Sequence, residues 1–182
     1  MELLELHRVI SRCSLCGLAE SRKNAVPGEG DFHASLMLIG EAPGRSEDLA
    51  GRPFVGAAGA FLDELLSSIG IERKKVFITN IVKCRPPMNR PPRVNEVNAC
   101  KPYLEQQMTQ IGSRIVCLMG NNAIKGVLGK GYALSEMHGK LMQKEGEKEF
   151  FLTYHPAAAL YVNELRQVMM NDFRELSKIL SS

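Results

Sequence analysis

Four of the five cysteines in this 182-residue chain fall as two pairs around a long gap. Cys13 and Cys16 form a C-x-x-C inside SRCSLCGLAESR, and Cys84 and Cys100 bracket a proline-rich basic stretch, KCRPPMNRPPRVNEVNAC. No export signal precedes them, so the expectation is a reducing compartment in which paired thiols stay thiols. Thiolates are soft ligands that select zinc or iron–sulfur clusters, which makes a four-thiolate metal site the natural reading. Spacing does not separate the two metals. Cys117 is different: it lies in a short apolar run, RIVCLMG, where a free thiol acts as a small core side chain.

Other residue types with chemistry stand at the ends of apolar runs. Gly40-Glu41-Ala42-Pro43-Gly44 puts a carboxylate between glycines, which let backbone approach a ligand closely. Glu47 and Asp48 follow, and like charges gathered in one crevice would raise one another's pKa. Asn80, in ITNIVK, offers an acceptor and two donors on a flat amide suited to reading a base edge. His155, before Pro156, could donate to a developing anion or carry a proton. Phe54, in GRPFVGAAG, could stack on a flat heterocycle or serve the core. Lys83, Arg85, Arg90, Arg93 and Lys101 crowd around the second cysteine pair, where they could meet phosphates or line a solvated basic loop. Each feature alone also has an ordinary structural reading, as turn, cap or core.

These residues need elements to position them. Apolar residues make up 45% of the chain and charged ones 24%, with a net charge of +3: an ordinary globular composition, too weakly basic to announce nucleic acid by itself. The length suits one domain, residues 1–182, with a real core. MELLELHRVISRC has early acidic residues and no apolar core of a signal peptide, and no run approaches the ~18 apolar residues of a membrane span. The expectation is a soluble intracellular protein with no membrane partner.

Helical spacing of Leu3, Leu6, Val9 and Ile10 predicts a helix over 2–12. SLMLIG (35–40), KKVFITNIVKC (74–84), RIVCLMG (114–120) and EFFLTYHP (149–156) read as strands. AAGAFLDELLSSIG closing at Gly70, VNEVNACKPYLEQQMTQIG closing at Gly112, NNAIKGVLG, and a last segment from Ala157 to Leu180 broken near Asn163 read as helices. Alternation of this kind predicts a parallel sheet covered on both faces, with ligands bound beyond the carboxyl ends of the strands. GEAPGRSED, TNIVKCRPP, GNNA and YHPAA all stand at those ends, so the loops converge on one crevice.

With CSLCGLAESR, VPGEG, LIGEAPGRSEDLAGRPFVGAAG, TNIVKCRPPMNRPP, the Cys100 segment and YHPAA in order, the chain resembles the family-four uracil-DNA glycosylases, the iron–sulfur class of that superfamily. The resemblance spans nearly the whole length. It implies an α/β/α sandwich with a central four-stranded parallel sheet, and a [4Fe–4S] cluster on Cys13, Cys16, Cys84 and Cys100. The implied reaction is hydrolysis of the N-glycosidic bond of uracil in double- or single-stranded DNA, by a monofunctional glycosylase of base-excision repair. It implies that Glu41, and Asn89 in PPMNRPP, position the attacking water, and that His155 stabilises charge on the leaving base. Glu47 would crowd the uracil C5 edge, Phe54 would stack on the flipped base, Asn80 would read its Watson–Crick edge, and Gly40 and Gly44 would shape the first loop. Lys83, Arg85, Arg90 and Arg93 are expected on DNA phosphates. A cytoplasmic, nucleoid-associated monomer meeting replication or repair proteins completes the expectation.

Ala42 stands where other uracil glycosylase families carry Asp or Asn, and the chain departs from its own family in two places. Leu160-Tyr161-Val162 replaces an Arg-containing probe, so Leu160 or Tyr161 becomes the candidate wedge. Met88 replaces a residue that is commonly Gly. A covalent uracil binder of the same fold would carry GEQPG and a His-containing insertion, and this chain has neither. A non-catalytic metal-bearing nucleic-acid module would not need Glu41, Asn80 and His155 together. A nucleotide hydrolase would need a carboxylate cluster for metal or a P-loop lysine.

Overall fold

The computed structural model describes residues 2–130, 132–143 and 148–182. In chain order the elements are α1 (Leu3–Ser11), α2 (Leu18–Ser21), β1 (Glu29–Gly30), β2 (Leu36–Gly40), α3 (Arg45–Ala50), α4 (Ala57–Ser68), β3 (Phe77–Asn80), α5 (Val94–Ile111), β4 (Ile115–Met119), α6 (Asn121–Leu128), α7 (Leu134–Met137), β5 (Lys140–Gln143), β6 (Glu149–Thr153) and α8 (Asn163–Ser181). Short 3-10 turns fill Arg73–Lys75, Pro87–Asn89 and Pro156–Leu160.

Strand alternation builds the core. On β2, Met37 and Ile39 point to one face and Leu36 and Leu38 to the other. On β4, Val116 and Leu118 oppose Ile115, Cys117 and Met119 in the same way. Leu6 and Ile10 of α1, Leu104 and Ile111 of α5 and Ile124 of α6 cover the first face. Leu62 and Leu65 of α4 with Met169, Phe173 and Leu176 of α8 cover the second. Each such side chain, fully enclosed, contributes about 1.5–3 kcal/mol. Cys117 is core filler as expected, fully buried, with its thiol pushed up by burial and by Asp172.

The sheet runs β1-β3-β2-β4-β6-β5. Its middle four strands are parallel, as predicted, and the α/β/α layering holds. The expected four-stranded sheet is corrected to six strands among the described residues, because β1 and β5 add antiparallel edges. Neither edge had a long hydrophobic signature: β1 is only Glu29–Gly30, and β5 has just half-buried Leu141 and Met142 between exposed Lys140 and Gln143. The second strand is shorter than its apolar run, since Arg73–Lys75 turns before it and the backbone leaves the ladder after Asn80. GRSED, read as loop, begins helix α3. The break near Asn163 is real: a 3-10 turn ends at Leu160 and α8 starts at Asn163.

Register sets the site. Gly40 pairs with Asn80, Ile39 with Leu118, and Met119 with Thr153, so the carboxyl ends of β2, β3, β4 and β6 lie in one row.

Candidate active site

Beyond that row lies a cavity of about 270 Å³. Glu41, Glu47, Phe54, Asn80, Asn89 and His155 all line it, with Gly44 and Arg90 at its wall. Its volume is just below that of drug-sized ligand pockets, which suits one flat heterocycle. Gly40 acts from behind: a Cβ there would come within 2.5 Å of Asn80 Oδ1 and 2.6 Å of the Phe54 ring. Only a bare Cα lets both side chains reach the cavity.

His155 and Phe54 stack, with ring centroids 5.6 Å apart and planes at 28°. Burial draws the His155 pKa down to about 4, and the Glu47 carboxylate opposes that only weakly. The imidazole is therefore neutral near pH 7. Its Nδ1 accepts the Ala157 N–H at 3.1 Å, which leaves the proton on Nε2. His155 is thus a neutral donor beside the cavity.

Asn80 is 1% exposed, and its Oδ1 is buried without a hydrogen-bond partner. Such an acceptor costs about 1–3 kcal/mol to leave unmade. Asn80 lines the cavity, so this unpaired oxygen lies at its wall. Glu41 is oriented by Asn122, whose Nδ2 donates to Oε2 at 2.8 Å. Asn122 was not singled out from sequence; its signal was GNNA at a strand end, two amides following Gly120.

Glu47 does more than line the wall. Its Oε2 accepts the Gly44 N–H at 3.1 Å, and its Oε1 accepts the Val55 and Gly56 N–H groups, both at 2.9 Å. The expected pairing of Glu47 and Asp48 as mutually repelling crevice charges is corrected. Asp48 turns away and takes the Lys23 and Asn24 N–H groups.

The Pro87–Asn89 turn places Met88 and Asn89 at φ 54° and 55°. A left-handed backbone favours glycine, so Met88 occupies a position where glycine would be less strained, with its side chain 91% exposed. Asn89 Oδ1 accepts from Arg85 Nε at 2.7 Å. Leu160, Tyr161 and Val162 stand exposed just beyond the His155 turn, an apolar rim next to the site.

Lys83 corrects the expected set of phosphate contacts. It is 1% exposed, and its Nζ donates to Thr79 Oγ1 at 2.6 Å, the Asn80 carbonyl at 2.8 Å and Gln107 Oε1 at 2.7 Å. Burial pulls its pKa down to about 7, while thiolates at Cys100 and Cys84 would push it back. Nothing local in the sequence marks this lysine as buried; the burial of residues 81–84 is decided by packing. Arg90 is also committed, forked onto Glu96 at 2.9 and 2.7 Å. Arg85 is half-buried and Arg93 exposed, and both belong to the loop beside the cavity.

The four paired cysteines share one neighbourhood. Burial pushes the Cys84 thiol up, the Arg22 guanidinium pulls it back, and thiolates at Cys16 and Cys13 would add to the rise. Cys100 is pushed up to about 11 by burial, against Lys83, with Cys84 and Cys16 adding. Arg22 Nη1 donates to Cys84 Sγ at 3.1 Å, the Lys83 N–H to Cys100 Sγ at 3.4 Å, and the Leu15 N–H to Cys13 Sγ at 3.5 Å. Among the described residues, no group of three or more His, Cys, Asp or Glu side chains is arranged to hold a single metal ion.

Comparison with known proteins agrees with this geometry. The family model described as the uracil DNA glycosylase superfamily matches residues 27–178. A Sulfurisphaera tokodaii protein named type-4 uracil-DNA glycosylase is 44% identical, covering 98% of this chain and 86% of its own. Proteins of the same name from Saccharolobus solfataricus and Pyrobaculum aerophilum are each 46% identical, covering 95% and 94% of this chain and 84% and 91% of theirs. The chain belongs to the type-4 family of uracil-DNA glycosylases. No described helix is long and apolar enough to cross a membrane.

Proposed function

We propose that this chain removes uracil from DNA by hydrolysing the bond between uracil N1 and deoxyribose C1′, leaving an abasic site. The observation that carries the reading is the orphaned Asn80 Oδ1 at the wall of a cavity sized for one base. The uracil N3–H is a donor that would satisfy it, and the Asn80 amide N–H would meet the adjacent O4. Cytosine presents an acceptor at N3 and an amino group at C4, so it would leave both bonds unmade.

The base must leave the duplex stack, at a few kcal/mol, least at a mismatch. Phe54 offers it a stacking face. As the N1–C1′ bond breaks, the electron pair stays on uracil and spreads toward O2. The His155 Nε2–H donor meets that charge, and the imidazole needs no proton of its own to lose or gain. Water supplies hydroxide to C1′ while its remaining proton ends on the uracil anion, and the Asn122-held carboxylate of Glu41 is the group we assign to orient that water and favour the cationic sugar. Asn89 lies on the same wall and joins that role. Arg85 and Arg93 would take DNA phosphates, and Leu160 or Tyr161 would fill the gap in the stack.

The cysteine donor set fits an iron–sulfur cluster: four thiols in one neighbourhood, with sulfurs already accepting from two backbone N–H groups and a guanidinium. Cys13, Cys16, Cys84 and Cys100 would hold it. When bound, a [4Fe–4S] group would tie the segment after α1 to the basic loop and α5, ordering that loop.

The test is a glycosylase assay under anaerobic conditions on duplexes with one U·G or one T·G pair and on single-stranded uracil DNA, followed by alkaline cleavage. Strand breaks at U and not at T are expected. Tight DNA binding with no release of uracil would overturn the catalytic reading in favour of a binding module.

A further inference from the structure

Phe54 has a φ of 49°, a left-handed backbone that a bulky L-residue avoids. Nothing in its own chemistry supports this; the surroundings impose it. On the carbonyl side stands Arg73, in the 3-10 turn that follows α4. Its Nη1 donates to the Phe54 carbonyl at 3.0 Å and its Nη2 to the Pro53 carbonyl at 2.5 Å. On the amide side, Glu47 Oε1 takes the Val55 and Gly56 N–H groups. Gly59 leaves room for the bend, since a Cβ there would lie 1.9 Å from the Phe54 carbonyl oxygen.

Arg73 is itself locked. Its Nε and Nη2 donate to Glu29 Oε1 at 3.2 and 3.0 Å, and its Nη1 to Asp63 Oδ1 at 2.8 Å. Burial would push the Glu29 carboxyl up, but hydrogen bonds from Arg52 and Arg73 hold it below the usual range. The guanidinium thus joins β1, α4 and the Phe54 loop through one rigid plane with five donors.

We infer that Arg73 and Glu47 form a two-sided clamp that sets the plane of the Phe54 ring against His155, and that Arg73 is a positioning residue for base stacking. This rests on the reading of the cavity as a uracil pocket. Glu47 thereby gains a second duty: it orders the loop whose ring receives the base, beside whatever its carboxylate excludes at the base edge. A lysine could replace the charge at position 73 but could not span the Pro53 and Phe54 carbonyls and both carboxylates from one plane.

The experiment pairs Arg73→Met with Lys74→Met, which removes the neighbouring cation of the same 3-10 turn and its ion pair to Glu72, off the Phe54 loop. Each is made in the wild-type and Phe54→Ala backgrounds. Inhibition of excision by free uracil is the first readout. Arg73→Met is expected to weaken inhibition about tenfold when Phe54 is present and less than about twofold when it is absent. Lys74→Met should change neither. Equal weakening in both backgrounds would overturn the clamp. The second readout needs no substrate: the ¹⁹F spectrum of chains carrying 4-fluorophenylalanine, with the Phe54 signal assigned by its loss in Phe54→Ala. Arg73→Met should shift or split that signal with the other phenylalanine signals in place, whereas an unmoved signal overturns the proposal. If the wild type neither excises uracil nor is inhibited by it, the pocket reading falls, and the spectrum still decides the clamp.

Discussion

Lys83 Nζ donates to the backbone carbonyl of Asn80 across 2.8 Å, while the Lys83 backbone N–H points at Cys100 Sγ across 3.4 Å. One buried residue therefore touches both the strand end that presents the Asn80 amide and the thiol site. Its ammonium has three oxygen acceptors and no carboxylate among them. Lys83→Met would strand the Gln107 and Thr79 oxygens and the Asn80 carbonyl together. The expected cost is about 2–4 kcal/mol of unfolding free energy, read from urea denaturation. A loss under about 0.5 kcal/mol would mean that the network adds nothing to stability.

Burial also separates Lys83 from its basic neighbours in DNA binding. Arg85→Ala and Arg93→Ala should each flatten the slope of log affinity against log salt by about one. Lys83→Met should leave that slope unchanged, because its charge never reaches a phosphate. Fluorescence anisotropy on undamaged duplex at several salt concentrations measures this, and a Lys83 effect matching that of Arg93 would contradict its enclosed position.

Asn80→Ala should split activity from stability. Losing the base-edge partner is expected to lower single-turnover uracil excision about 100-fold. The same change removes a buried acceptor that has no partner, so the free protein should be no less stable, and up to about 1 kcal/mol more so. A variant that loses both together would place Asn80 among ordinary structural amides.

Acid should weaken the fold before the carboxylates titrate. Burial depresses both His155 and His7 to about 4, with Lys83 adding to the effect at His7. Between about pH 6.5 and about pH 4 the unfolded chain holds protons that the folded chain refuses, so stability rises with pH through that window. For His155 the loss from about pH 7 to about pH 5 is on the order of 2 kcal/mol, and for half-buried His7 it is smaller. Urea midpoints for wild type and His155→Gln test this: the variant's pH dependence should be flatter, and parallel curves would refute it.

Cys84→Ser should remove bound iron and acid-labile sulfide from protein purified without air, and with them the order of the basic loop. The expected signs are loss of visible absorption, a lower melting temperature and faster proteolysis near Arg85–Arg93. Cys117→Ser should keep the iron, because that thiol sits in the β4 core. Equal iron in wild type and Cys84→Ser would exclude Cys84 from the ligand set.

Much of this was legible in the chain. The continuous apolar runs Leu36 to Ile39 and Ile115 to Met119 predict strands buried on both faces, and glycines such as Gly40 and Gly120 mark their ends. Parallel strands with loops at a common end then bring Glu41, Asn80 and His155 together before any contact is known. Edge strands such as Glu29–Gly30 were not legible, because two residues pair through backbone and carry no side-chain pattern.

What the sequence determined by itself was the set of chemical groups and the end of the sheet at which they meet, since both follow from local periodicity and residue type. Only tertiary structure decided which charges face in and which face out. Lys83, Arg85 and Arg90 look alike along the chain, yet one is buried on oxygen acceptors, one holds Asn89 and one is forked onto Glu96. Arg73 reaches back to the Phe54 loop, and Asn122 reaches Glu41 across 81 positions. Partners so distant are chosen by packing and by the cost of leaving a buried polar group unmade, neither of which is written in any local stretch of residues.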